Sequence, residues 1–153
     1  MMSNTNDLSN PTLTIERMFN APIQLVWDAW TQAGQITLWW GPKGMQTKVI
    51  QHDFKVGGTW KYTMEMPNGN EFITEGVYSE IVELGKIISS ADSKPMTEGV
   101  EIQALFDANE NKTNFTFKVV HPTGEYCRQQ EKMGFYKGWD STFDRLNEYL
   151  QAE

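Results

Sequence analysis

Hydrophobic and polar residues follow two different periods along this chain. Between Met45 and His121 apolar residues alternate with polar ones, which is typical of strands with one buried face. Strands are predicted at residues 12–19, 45–54, 58–66, 71–83, 86–93, 99–108 and 112–121. Short breaks rich in Gly, Pro and Asn separate them, including a turn at Lys94-Pro95. Short connections predict an antiparallel meander.

Helical spacing governs the two ends of the chain. Ile23, Val26, Trp27 and Trp30 recur at three and four residues, which predicts a helix that begins after Pro22 and ends near Gly34. A short second helix is expected from residue 36 to 40.

A long last helix is predicted from Glu125 to Gln151. Its buried stripe is expected to contain Tyr136, Trp139, Phe143, Leu146 and Leu150. Strand, helices, meander and long helix in this order indicate an α+β fold, because no alternating βαβ units are present. We expect a mobile tail at residues 1–11 and a single domain at 12–153.

Composition and charge limit the classes of partner that we expect the protein to bind. The net charge of -7 and the scattered basic residues disfavour nucleic acid and anionic membranes. No apolar run is long enough for membrane insertion, and the one cysteine, Cys127, excludes an internal disulfide. We therefore expect a cytoplasmic protein, either a monomer or a homodimer.

Several motifs, in a specific order, resemble a known family. They are Glu16-Arg17-Met18-Phe19-Asn20-Ala21-Pro22, Val26-Trp27-Asp28-Ala29-Trp30, Trp39-Trp40-Gly41-Pro42, Asp53-Phe54-Lys55-Val56-Gly57-Gly58-Thr59-Trp60, Gly76-Val77-Tyr78-Ser79-Glu80-Ile81 and Gly138-Trp139. The chain resembles the activators of heat-shock-protein-90 ATPase (AHSA-like). That resemblance implies the helix-grip fold of the START-like, birch-pollen-allergen-like (SRPBCC) superfamily, in which a curved antiparallel sheet holds the C-terminal helix around a space for apolar ligands. It also leaves a chaperone as a possible protein partner.

Large side chains on the predicted inner faces suggest the walls of such a cavity, although they could equally fill a solid core. Trp60, Tyr62, Met64 and Met66 alternate along one strand. The predicted wall residues are Trp60, Tyr62, Phe117, Met133, Tyr136 and Trp139.

A polar anchor is predicted at the start of the last helix. If that helix is continuous, Arg128 and Lys132 share the face of Tyr136 and could hold an anionic head group at the cavity mouth. The alternative is that both are solvated. Gly134 and Gly138 project to the opposite face, so in a regular helix they cannot make room for ligand. Either the helix bends there, or another chain's backbone approaches closely, or the two glycines are merely tolerated weak positions.

Signatures of catalysis are sparse. His52 and His121 have no matching Cys or carboxylate spacing, so neither a metal site nor a cofactor is predicted. Glu65, Glu71 and Glu75 are expected in solvent unless a bulge turns them inward. The sequence thus favours non-catalytic binding of a small hydrophobic or amphipathic molecule. A co-chaperone-like interaction module, or a cyclase, hydrolase or dehydratase acting on an apolar substrate, remains the alternative.

Overall fold

The alternating segments form seven strands in the computed structural model, which describes residues 9–93 and 97–152. They are β1 (Thr12–Phe19), β2 (Gln46–His52), β3 (Thr59–Glu65), β4 (Glu71–Val82), β5 (Lys86–Ser93), β6 (Thr97–Asn109) and β7 (Lys112–Val120). All pairs are antiparallel, and the sheet order is β1-β7-β6-β5-β4-β3-β2. The predicted α+β class and meander are confirmed, with β1 added beside β7. The turn predicted at Lys94-Pro95 lies outside the described residues.

Two short helices follow β1, as expected, but their boundary differs from the prediction. Helix α1 spans Ile23–Thr31 and helix α2 spans Ala33–Ile36. Gln32 separates them because its backbone is extended, with φ -99° and ψ 122°. Gly34 therefore lies inside α2 and does not end the first helix.

The predicted long C-terminal helix is confirmed, but its predicted continuity from Glu125 to Gln151 is wrong. Helix α3 spans Gly124–Lys132 and helix α4 spans Phe135–Ala152. Gly134 has φ 105°, a left-handed conformation that only glycine adopts without strain, and this conformation ends α3. Thr123 caps α3 by accepting a hydrogen bond from the Tyr126 backbone N–H at 3.1 Å. The two helices can consequently present different faces to the sheet.

The core is aromatic and lies between the inner face of the sheet, α1 and α4. Trp30 occupies its centre, with ring centres of Trp39, Phe115 and Phe143 at 4.9, 5.5 and 6.3 Å. Phe143 and Leu146 of α4 are fully buried against it. Side chains fill this half of the space between the sheet and the helices, so a larger cavity can lie only toward the N-terminal end of α4.

The first described residues are attached to the end of β7. The Pro11 carbonyl accepts hydrogen bonds from the His121 backbone N–H at 2.8 Å and from His121 Nδ1 at 3.0 Å. Residues 1–8 of the expected tail lie outside the described residues. Within the described part of the chain, no helix has the length and hydropathy needed to cross a membrane.

Candidate functional site

A cavity of about 310 Å³ opens between the sheet and the α3–α4 break. This volume is at the lower end of the range for small-molecule sites, roughly 300–1,000 Å³. The described residues that line it are Trp40, Gly41, Pro42, Met45, Trp60, Met64, Met66, Phe72, Thr74, Ala91, Ser93, Thr97, Val100, Ile102, Val119, His121, Gln130, Met133, Gly134, Phe135, Gly138, Trp139 and Thr142.

Three indoles form the inner wall. The Trp40 ring centre is 5.8 Å from that of Trp60 on β3 and 5.7 Å from that of Trp139 on α4. Trp60 is fixed in turn, since its Nε1–H donates to Ser89 Oγ at 2.7 Å. The wall is therefore both apolar and rigidly held, as a site for an apolar ligand requires.

The loop that carries Trp40 is held from α4 by one guanidinium group. Arg145 Nη1 lies 3.2, 2.9, 3.2 and 3.3 Å from the carbonyl oxygens of Trp40, Gly41, Pro42 and Met45. All four of these loop residues line the cavity. Arg145 itself is not part of the lining, so it acts on the site by positioning the loop.

Polar groups in the lining are hydroxyls, an amide and an imidazole. Thr74 Oγ1 donates to Ser93 Oγ at 3.1 Å, and Thr97 Oγ1 donates to Gln130 Oε1 at 2.9 Å. Thr142 Oγ1 donates to the Gly138 carbonyl at 3.1 Å. Among the described lining residues there is no Asp, Glu, Lys or Arg. Such a surface suits a neutral molecule with few hydrogen-bonding atoms.

His121 is the ionisable group in the described lining. Its Nδ1 carries a proton, because it is 3.0 Å from the Pro11 carbonyl oxygen, which only accepts. Burial lowers the pKa of His121 below its ordinary value and the Arg128 charge acts in the same direction, while hydrogen bonds to the backbone of Pro11 and Val119 act in the opposite direction. The ring contacts Phe135 and Tyr126 edge-on.

Three of the eight predicted ligand-binding residues line the cavity: Trp60, Met133 and Trp139. Phe117 does not, because it is fully buried beneath Trp139, with ring centres 4.5 Å apart. Tyr62 is also elsewhere, since its hydroxyl lies 3.2 Å from His52 Nδ1. Both were placed on the correct face of the sheet but toward its solid half.

The predicted anchors Arg128 and Lys132, and with them Tyr136, lie outside the lining. Arg128 pairs with Glu131 at 2.9 Å, and Lys132 and Tyr136 are exposed. The prediction projected one helix through the whole segment, and the break at Gly134 invalidates that projection for Arg128 and Lys132. Tyr136 lies beyond the break, in α4, and is 37% exposed. Gln130 of α3 lines the cavity.

The bend expected near Gly134 and Gly138 is present at Gly134, where α3 ends, but the orientation expected for Gly138 is wrong. Gly134 and Gly138 both line the cavity, and Gly138 does so within the regular helix α4. On α4 the inner face is shared by Phe135, Gly138 and Thr142, which follow one another at three and four residues.

Sequence reasoning missed the polar lining. His121 continues the alternation of Phe115, Phe117 and Val119, so the period of β7 already indicated an inward side chain. Thr74 is likewise two positions from Phe72 on β4, and both line the cavity. Gln130 gave no such signal, since its orientation depends on the helix break.

A second, much smaller space of about 20 Å³ adjoins the indole wall and is bordered by Tyr62, Tyr78 and Ser89. Burial raises the pKa of Tyr62, and burial raises the pKa of Tyr78 to about 12, so both phenols stay protonated. Trp30 Nε1 is buried there without a hydrogen-bond partner among the described residues. The rest of the border of this space is apolar, formed by Trp30, Trp40, Trp60, Ile87, Ile102 and Ala104, so the space is a small gap in the core beside the main cavity.

Other candidate chemistry stays separate from the cavity. Glu65, Glu71 and Glu75 are exposed, as expected for strand acids on the outer face. The described residues contain no group of three or more His, Cys, Asp or Glu that could hold a metal ion. Cys127 is buried and unpaired.

Known proteins share this architecture. The protein Ms6760 from Mycobacterium smegmatis is 24% identical, with a TM-score of 0.85 over 95% of this chain and 94% of that one. A protein from Arthrobacter aurescens is 20% identical, with a TM-score of 0.88 over 97% and 90%. The AHSA1-like protein from Aeromonas hydrophila is 21% identical, with a TM-score of 0.75 over 92% of each chain.

At the level of sequence, no curated protein matches the chain. The model of one family does match it, over residues 20–151, and that family is described as Activator of Hsp90 ATPase homolog 1-like protein. The match spans nearly all of the strands and helices that enclose the cavity. The chain has the helix-grip fold of the SRPBCC superfamily, and this fold is consistent with a ligand-binding or co-chaperone-like domain. The chain therefore belongs to the Activator of Hsp90 ATPase homolog 1-like family.

Proposed function

We propose that this protein binds a small, neutral, predominantly apolar molecule in the cavity between the sheet and the α3–α4 break, without chemical change. The observation that carries this proposal is the lining itself: indole, phenyl and thioether groups surround about 310 Å³, and the described lining contains no carboxylate or cationic side chain. Trp60, Met133 and Trp139 are proposed as wall residues. The Thr74–Ser93 and Thr97–Gln130 pairs and His121 would form hydrogen bonds with one or two oxygen atoms of the ligand.

Two alternative functions, an enzyme with a cavity acid and a co-chaperone-like module, are less favoured than ligand binding. An enzyme with a cavity acid needs a carboxylate there, and none stands among the described lining residues. A co-chaperone-like module needs a contiguous exposed apolar patch. On the outer face of β4, Glu75 separates the exposed Ile73 and Val77, so the apolar surface on this face is not contiguous. We place the function in a reducing cytoplasm, which suits an unpaired buried Cys127.

The six tryptophans provide an internal test. The protein is labelled with 5-fluorotryptophan, each fluorine resonance is assigned by a Trp→Phe variant, and the small neutral fluorophore 1-aminonaphthalene is added. We expect the resonances of Trp40, Trp60 and Trp139 to shift, because these three line the cavity. Trp27 is the control, since its ring contacts Phe54 and Phe106, which are outside the lining.

The same titration decides against the proposal if it is wrong. An unchanged fluorine spectrum, together with no change in fluorophore emission, would show that the native cavity does not accept an apolar molecule. Shifts confined to Trp27 would place binding elsewhere on the protein. If the titration supports the proposal, native mass spectrometry of protein purified from its own cells would identify the retained molecule.

A further inference from the structure

Gly138 is an unusual residue for its position in the middle of α4. The helix is regular there, with the Gly138 N–H donating to the Gly134 carbonyl at 3.0 Å. Glycine is a poor helix former, and alanine or leucine would favour the helix more. The local backbone therefore gives no reason for a glycine at this position.

Packing gives no reason either. A Cβ atom built at Gly138 meets no heavy atom within 4 Å. Gly76 differs, because a Cβ there would collide with the Ser90 carbonyl and lie 2.8 Å from the Trp60 ring. Gly134 differs as well, because its φ of 105° requires glycine. Gly138 alone among these three has both a permissive backbone and open space.

The open space beside Gly138 adjoins the cavity. Phe135, Trp139 and Thr142 stand three positions before, one after and four after Gly138, and all of them line the cavity. Residues at three and four positions share a helix face, so a side chain at position 138 would enter between Phe135 and Thr142.

We infer that Gly138 sets the upper size of the ligand by leaving this part of the cavity unfilled. The inference rests on the proposed binding function and specifies it further. At about 30 Å³ for a water-sized group, 310 Å³ accommodates roughly ten carbon-sized atoms. The four carbons of a leucine side chain would remove on the order of 100 Å³, about a third of the cavity.

A homologous series of 1-alkanols from butanol to dodecanol measures this limit directly. The affinity of each alcohol for the wild-type protein, for Gly138→Leu and for Gly138→Ala is measured by isothermal titration calorimetry. Wild-type affinity should rise about fourfold per methylene until the cavity is full, near ten carbons. The chain length at which the rise stops should be about four carbons shorter in Gly138→Leu and about one shorter in Gly138→Ala.

Gly34→Leu is the matched control. Gly34 also has no atom within 4 Å of an added Cβ, is exposed in α2 and does not line the cavity. Its chain-length profile should equal that of the wild type. Gly138→Ala keeps the test valid if the leucine variant fails to fold, because alanine is favoured in a helix.

The outcomes separate the two proposals. A wild-type protein that binds neither the fluorophore nor any alkanol overturns the binding function and this inference with it. A wild-type protein that binds the series, with the same limiting length in both Gly138 variants, overturns the role of Gly138 alone. An equal shortening in Gly34→Leu also overturns it, because the effect would not come from the cavity.

Discussion

The indole of Trp139 packs on the phenyl ring of Phe117, with 4.5 Å between ring centres and 45° between ring planes. Phe117 is fully buried, whereas Trp139 is partly buried and lines the cavity. This pair marks the boundary between the solid half of the protein and its open half.

Truncation of Trp139 should therefore separate stability from binding. Trp139→Ala is expected to lower the free energy of unfolding by about 1–3 kcal/mol, because part of its surface has no protein neighbour, and to weaken the binding of 1-aminonaphthalene. Phe143→Ala, one turn further along α4 and fully buried, should cost about 3–5 kcal/mol. Denaturant midpoints and fluorophore titrations give both quantities. A full core penalty for Trp139→Ala with unchanged binding would exclude its role as a cavity wall.

A neutral ligand should be preferred over an anionic one of the same length. Decanol is expected to bind at least about tenfold more tightly than decanoate at pH 8, because the described lining offers no cation to a buried carboxylate. Lys132→Ala should change neither affinity nor stability, since Lys132 is exposed and outside the lining. Selective loss of decanoate binding in Lys132→Ala would restore the anchor that the sequence suggested.

Arg145 should control the cavity from a distance. Arg145→Met removes the donors that hold the carbonyls of Trp40, Gly41 and Pro42, so we expect a loss of about 2–3 kcal/mol in stability and weaker fluorophore binding. Lys43→Met is the control, because it removes a cation from the same loop but breaks only an exposed pair with Glu148. Thermal unfolding and titration of both variants test this. Equal behaviour of the two would show that the loop does not depend on Arg145.

Stability should depend on pH through His121. Its folded pKa is lowered by burial, so the unfolded chain binds a proton more readily between that value and the ordinary value of about 6.5. The contribution of His121 is then fully present above the unfolded pKa and is lost as pH falls toward the folded pKa. Unfolding midpoints measured from pH 8 to pH 5 should fall less in His121→Gln than in the wild type. Parallel profiles for the two proteins would contradict the prediction.

Local periodicity was sufficient for most of the fold. Alternation along β3, β6 and β7 placed the inner faces correctly because side-chain direction in a strand follows directly from residue number. The same rule brought Trp60 to the cavity wall and extends to His121. What it could not supply was the distance along the strand at which packed core gives way to open space, which misplaced Tyr62 and Phe117.

The helix break was beyond a periodicity argument. Projected backward from Tyr136, the stripe turns polar at Lys132, Gln129 and Arg128, which is also compatible with a continuous helix, and a single glycine at position 134 is tolerated in many helices. Its left-handed backbone becomes visible only in the structure, and every residue projected across it, including Arg128 and Lys132, was therefore misplaced. Gln130 lines the cavity because α3 ends at this break, whereas Gly138 does so within the regular helix α4.

The pairing of β1 with β7 has a consequence for synthesis. Thr12 pairs with Val120, so the strand of this sheet that is synthesised first bonds to the one synthesised last, more than 100 residues later. At about 5–20 residues per second, several seconds separate the synthesis of the two strands. Strands β2 to β7 can pair with their neighbours as they emerge, and such local pairing requires little loop closure. The meander can therefore form before β1 is added, and the ion pairs of Arg17 to Asp140 and Asp144 depend on that later step.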